Sequence, residues 1–195
     1  MPKITRDSLL TLEAYARERT ALRTQVIAHK RHRTLALGAH ITLLFEDELT
    51  MRYQIQEMLR IERIFEAVGI QEELDTYNAL VPDGDNWKAT MMIEYPDVAQ
   101  RVYWLTQLRG IEHRVWARVG SSEPVFAVAD EDMIRHNDLK TSAVHFLRFP
   151  LTPPLMAALQ AGAPLAMGVE HARYVAQADP VSATLRQALL QDLAV

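Results

Sequence analysis

The 195-residue chain contains no cysteine. Disulfides, cysteine-ligated zinc, cysteine-ligated iron–sulfur clusters and thiol catalysis are thereby excluded within it. Glycine is scarce, at seven residues, and none falls in a G-x-G-x-x-G, G-x-x-x-x-G-K-[ST] or G-x-S-x-G pattern. A backbone cradle for nucleotide phosphates and the nucleophile elbow of a serine hydrolase therefore lack their local chemistry. No run approaches the roughly 18 uninterrupted apolar residues of a membrane span. The start, "MPKITRDSLL", becomes charged at once, where a signal peptide would need an apolar core. These absences predict a cytoplasmic protein with no membrane partner. Positive charge is not in excess either, since 25 acidic against 21 basic residues leave a net −4. Phosphate binding needs a concentrated positive surface, so no nucleic-acid partner is expected. The one basic cluster, "HKRHR" at 29–33, reads as a solvated helix end with cations near the C-terminal dipole.

What is present fits an ordinary globular protein, with 49% hydrophobic and 24% charged residues. The length suits one domain over 1–195, and no repeat, low-complexity tract or linker divides it. Thr5 is the expected N-cap of a first helix, on which Leu22, Val26 and His29 share a face. Two short strands, "TLALG" and "ITLLFE", follow around a Gly-Ala-His turn. A long helix is expected over about 50–68, with Gly69 just past its end. After the turn at Pro82-Asp83-Gly84-Asp85 come a buried strand, "KATMMIEY", and a helix with Val98, Val102 and Leu105 on one face. "HRVWARV" and "PVFAVAD" read as a strand pair across "GSSEP". "KTSAVHFLRF" is a strand with Thr141, Ala143, His145, Leu147 and Phe149 on one side. A helix at 152–161, the strand "PLAMGVEH" and a last helix capped by Asp179, with Pro180 at its first position, complete the chain. About seven strands with helices clustered between them predict an α+β fold, a mostly antiparallel sheet with helices packed on it.

Two groups of polar residues are candidates for function. On the central helix, Met51, Ile55, Met58 and Phe65 form an apolar stripe that contains Glu62, with Gln54 and Glu57 inside or beside the wider arc. These three are expected to be buried polar groups, each satisfied by an arginine or by backbone amides. Glu57 and Glu62 lie about 140° apart on the helix and cannot easily share one ion. The second group is Glu46 and Glu94, each ending an apolar strand, with His145 inside a strand and His171 after another. Brought together, they would supply oxygen and imidazole ligands suited to iron, manganese or zinc. No H-E-x-x-H spacing supports this, and a strand histidine is more often a satisfied core group.

The stretches "VIAHKRHRTLALG", "TLLFEDELTMRYQIQEMLRIERIFE", "ELDTYNALVPDGDNWKATMMIEY", "FAVADEDM" and "KTSAVHFLRF" resemble a bacterial family of unknown function. The likeness runs over roughly 5–172 and leaves out the last helix. The resemblance implies genes beside a rubrerythrin and an iron–sulfur electron-transfer protein, hence a setting of peroxide and iron redox chemistry. It implies no catalytic residue. Two functions follow: an accessory protein of a redox or oxidative-stress system, binding rubrerythrin or the iron–sulfur protein, or a small metal-dependent enzyme with Glu/His ligands. Convergent Glu and His side chains would favour the enzyme; an exposed apolar patch would favour the accessory protein. Homo-oligomerisation stays open.

Overall fold

The computed structural model describes residues 3–131, 135 and 139–194. The first helix, α1 (Leu12–Arg31), is capped by Thr11, whose hydroxyl accepts the Ala14 N–H. Thr5 instead opens a single 3₁₀ turn at Arg6–Ser8. The two threonines are six positions apart, and only the second directly precedes an α-helical run.

Strands β1 (Thr34–Leu37) and β2 (Ile41–Phe45) form the expected hairpin. Gly38 makes the turn at φ 71°, and a Cβ there would meet the Tyr174 hydroxyl at 2.5 Å. Glycine is required on both counts.

The helix expected over 50–68 is two helices, α2 (Glu48–Ile61) and α3 (Ala67–Asn78). The chain turns between them, with Arg63 in the left-handed region at φ 53°. Gly69 lies inside α3 and is not the residue after a helix end. Because α2 stops at Ile61, its buried stripe is Met51, Ile55 and Leu59 at four-residue spacing. Phe65 and Val68 are carried out of it, 65% and 71% exposed. With Ile4, Leu74 and Val81, the α2 stripe makes a small core under the helices.

Strand β3 (Asn86–Ile93) alternates buried and half-buried residues and pairs antiparallel with β2. It is followed by α4 (Val98–Gln107), capped by Asp97, and β4 (Val115–Val119). "PVFAVAD" divides into β5 (Val125–Phe126), paired with β4, and β6 (Val128–Ala129), paired with β7 (Val144–Pro150). After α5 (Pro153–Gln160) come β8 (Leu165–His171) and β9 (Tyr174–Ala178), a strand the sequence pattern did not reveal. The last helix, α6 (Ala183–Leu190), is capped by Ser182, not Asp179. At Val181 the chain is still bonded to β8, through the Leu165 carbonyl, and Asp179 pairs with Arg118 at 2.6 Å.

The fold is α+β as expected, and the described residues form nine strands in two antiparallel sheets instead of about seven in one. One sheet runs β1-β2-β3-β7-β6 and the other β5-β4-β8-β9. Their inner faces share the main core: Leu43, Phe45, Trp87 and Phe149 from one, Val115, Met167 and Val169 from the other. On the opposite face of the second sheet, where Trp116 of β4 pairs with Gly168 of β8, the missing side chain lets the indole lie 2.5 Å from where a Cβ would stand. Among the described residues, no helix is long and apolar enough to cross a membrane.

Candidate functional site

The four candidate metal ligands do not come together. Glu46 and Glu94 each end a strand, but β2 and β3 are antiparallel, so the two ends lie at opposite ends of the ladder. The Glu46 N–H bonds to the Lys88 carbonyl and the Glu94 N–H to the His40 carbonyl. Six residues of strand separate those points, about 20 Å. Glu94 is exposed and accepts from the Thr42 hydroxyl at 2.6 Å. His171 ends β8 in the other sheet, its Nε2 3.2 Å from the Arg109 carbonyl. Nor does Glu94 reach His145. The register pairs His145 with Met91 on the core face, and Glu94, three residues on, follows the opposite face. Among the described residues, no three His, Asp or Glu side chains are arranged to hold a metal ion.

His145 is fully buried, and its acidic companions are Asp130 and Glu112. Its Nδ1 lies 2.5 Å from Asp130 Oδ2. Its Nε2 faces the Thr141 hydroxyl at 2.8 Å, the Ser142 carbonyl at 3.1 Å and Glu112 Oε2 at 3.8 Å. The Thr141 hydroxyl donates to Glu112 at 3.2 Å. Asp130, which follows β6, adopts φ 52°, a conformation that aspartate tolerates better than most residues. There its Oδ1 accepts the Phe146 N–H at 3.0 Å, and Arg135 stands 3.5 Å away. Glu112 comes from a 3₁₀ turn (Ile111–Arg114) that begins at Gly110 with φ 79°. The centre thus ties three segments to β7 beneath the surface. An imidazole with acceptors at both nitrogens is the satisfied core group that buried polar chemistry requires.

A second buried centre surrounds Arg33. The basic run 29–33 was expected to lie in solvent, but α1 ends at Arg31 and Arg33 turns inward, 1% exposed. Its guanidinium donates to the carbonyls of Phe45 at 2.9 Å, Glu46 at 3.1 Å and Ala188 at 3.2 Å, and to the Asp192 carboxylate. Asp47 Oδ2 lies 3.4 Å from Arg33 Nε and 2.5 Å from His29 Nε2, while its Oδ1 caps α2 at the Thr50 N–H. Glu46 is buried beside this centre and accepts from the hydroxyls of Thr50 and Thr90, both at 2.7 Å. Its carboxylate is therefore committed to two threonines. One guanidinium serves two buried aspartates, and Asp192 Oδ1 has no hydrogen-bond partner. Burial pushes the Asp192 carboxyl up to about 6 against the opposing pull of Arg33.

Of the buried polar trio, Glu57 is the best satisfied. It accepts from the Tyr15 hydroxyl at 2.6 Å and from Arg19 at 2.7 and 2.8 Å, with Arg60 at 3.2 Å. The Arg19 hydrogen bonds lower its carboxyl to about 2. Gln54 is half-buried; Gln56 is the buried amide, accepting the Leu10 N–H at 2.7 Å. Glu62 was expected in the stripe but is exposed at the C-terminal end of α2, because the helix stops before it.

Two opposing pH dependences follow. Unfolded Asp192 ionises near 3.8, while folded Asp192 holds its proton to about 6. Between these values the folded state binds more protons, so raising the pH through this window costs stability, on the order of 3 kcal/mol. Glu57 acts the other way. Its contribution is present above the ordinary 4.5 and is lost as pH falls toward 2. Urea midpoints should therefore fall between pH 4.5 and 6.5 in the wild type, and Asp192→Asn should flatten that slope. An unchanged slope in Asp192→Asn would remove Asp192 from the account.

A two-sheet α+β protein with buried polar centres and dispersed Glu and His side chains is the class this geometry defines. The chain belongs to a family of proteins of unknown function, DUF3501, whose model matches residues 3–193. The match takes in the last helix, beyond the 5–172 over which the sequence resemblance ran. The chain is also similar to a novel protein of unknown function from Burkholderia pseudomallei K96243, whose crystal structure is at 1.90 Å resolution. The two share 52% identity over 99% of this chain and 100% of that one, with a TM-score of 0.93. No curated protein matches the chain.

Sequence reasoning placed Thr141 on the side of His145, where its hydroxyl lies 2.8 Å from the imidazole, but missed Asp130, Glu112, Arg33, Asp47 and Asp192. Asp47 carried a local signal, since an aspartate three residues before Thr50 at a helix start reads as a cap. The others are joined by contacts between distant segments, which no spacing rule anticipates.

Proposed function

We propose that this chain is an accessory protein of a redox or oxidative-stress system, acting by holding a protein partner. The observation that carries this reading is the apolar surface that α4 leaves exposed. Val98 and Val102, four residues apart, and Tyr103 are each more than half exposed on one short helix. Exposed apolar surface of this kind marks an interaction site more often than a folding defect. The dispersal of Glu46, Glu94, His145 and His171 also favours the accessory reading over a Glu/His-ligated metal enzyme. The resemblance to a family with rubrerythrin and iron–sulfur neighbours supplies the partner class.

Calorimetric titration of the purified chain with the rubrerythrin, and with the iron–sulfur protein, of the same organism tests the reading. A micromolar Kd is expected for one of them, weakened at least about tenfold, or 1.4 kcal/mol, by Val102→Asp. No heat with either protein at 100 μM chain would overturn it. The metal-enzyme alternative has its best remaining donors in His145, Asp130 and Glu112, which already bond to one another or to Thr141. Its measure is metal content after reconstitution with iron, manganese or zinc, in wild type and His145→Ala. Stoichiometric metal lost in the variant would put the enzyme first.

A further inference from the structure

The corner between α2 and α3 and the end of α1 carry opposite charge around apolar surface. At the corner, Ile61, Phe65 and Val68 are 55%, 65% and 71% exposed. The stretch 62–75 holds five acidic residues against one arginine, as large an excess as the net −4 of the whole chain. Burial, and then the neighbouring Glu62 and Glu72, push the Glu73 carboxyl upward, so this acidity is crowded. Glu62 and Glu66 form no ion pair among the described residues. At the other location, Ile27, Lys30, Arg31, Thr34 and Ala36 line an open recess of about 550 Å³. Ile27 is 46% exposed, and neither Lys30 nor Arg31 is paired with an acid among the described residues.

These two surfaces sit at opposite ends of one helix pair. Tyr15 and Arg19, near the start of α1, meet Glu57 near the end of α2; His29, near the end of α1, meets Asp47 at the start of α2. The helices are therefore antiparallel, and the ridge and the recess lie about 20 Å apart, the rise of the 14 residues of α2. A chain cannot fill its own recess with its own ridge, but a second copy can.

We propose that the acidic apolar corner of one copy docks in the basic recess of another, Phe65 against Ile27 and Ala36, with Glu62 and Glu66 facing Lys30 and Arg31. Charge complementarity selects the occupant. The corner finds on this same chain a recess of opposite sign with an apolar floor, whereas the neutral α4 surface finds no such counterpart among the described residues. The contact is head-to-tail. Each added copy leaves one ridge and one recess free, so association closes into a ring or continues as a chain.

Sedimentation velocity of the full chain from about 1 to 100 μM, at 50 and 500 mM NaCl, tests the proposal. Mass should rise above the 22.2 kDa monomer with concentration at low salt. It should fall back at high salt, where the attraction between the exposed Glu62 and Glu66 of one copy and Lys30 and Arg31 of the other is screened. Phe65→Asp, and separately the double variant Lys30→Glu/Arg31→Glu, should each weaken association at least about tenfold. Both change exposed or half-exposed side chains, and unchanged melting by circular dichroism will confirm that the variants fold. Mixing the two is the diagnostic step. The Phe65→Asp copy keeps a good recess and the charge-reversed copy keeps a good ridge, so together they should form a capped complex of two chains. A monomer at 100 μM in low salt overturns the proposal. So does an oligomer indifferent to both variants, or a mixture that forms no pair.

Discussion

Replacing Arg33 with methionine is expected to remove about 3–5 kcal/mol of unfolding free energy, the usual consequence of deleting one member of a buried ion pair. Methionine roughly keeps the volume, so the loss is not a cavity effect. It comes from what the guanidinium leaves behind: Asp192 and Asp47 without their cation, and the carbonyls of Phe45, Glu46 and Ala188 without a donor. Three pieces of chain far apart in sequence converge there: the end of α1, the β2–α2 junction and the C-terminal segment. Urea denaturation should show a lower midpoint with little change in slope. The loss should be smaller at pH 5 than at pH 8, because below about 6 Asp192 carries a proton and needs its cation less. A variant within about 0.5 kcal/mol of wild type, as surface changes usually are, would show that Arg33 does not hold this junction.

His145→Leu should cost a similar amount, about 3–5 kcal/mol, for a related reason. Leucine fits the apolar face that His145 shares with Leu147 and Phe149, but it turns Asp130 and Glu112 toward a side chain that donates nothing. The cost should therefore depend on the carboxylates. Adding Asp130→Asn and Glu112→Gln to His145→Leu replaces the buried charges with neutral amides and should recover part of the loss. Double-mutant cycles between His145 and each acid separate the two contributions. The 2.5 Å contact predicts a larger coupling with Asp130 than with Glu112 at 3.8 Å. Equal losses in His145→Leu and in the triple variant would mean that packing, not charge, is what His145 provides.

The sequence by itself determined the α+β class, the β1–β2 hairpin around Gly38, the alternation that buries His145, Leu147 and Phe149, and the exclusion of cysteine chemistry. These are local properties, carried by two-residue alternation, glycine at a positive φ and composition, and they need no knowledge of what lies across the fold. Tertiary structure decided the rest. The helical pattern of 50–68 is continuous in sequence, yet the chain breaks at Arg63 because α3 turns back to bury Leu74 and Val81 on the α2 stripe with Ile4. That turn sends Phe65 and Glu62 outward. "PVFAVAD" reads as one strand, but Ala127 is where it passes from one sheet to the other. Glu46 and Glu94 look equivalent in sequence, each closing an apolar strand, and antiparallel pairing places them at opposite ends of the ladder. Arg33 looks like one more cation in a solvated basic run. It is buried because Asp192, 159 residues later, returns to it, and a pairing at that separation leaves no periodic trace in the sequence.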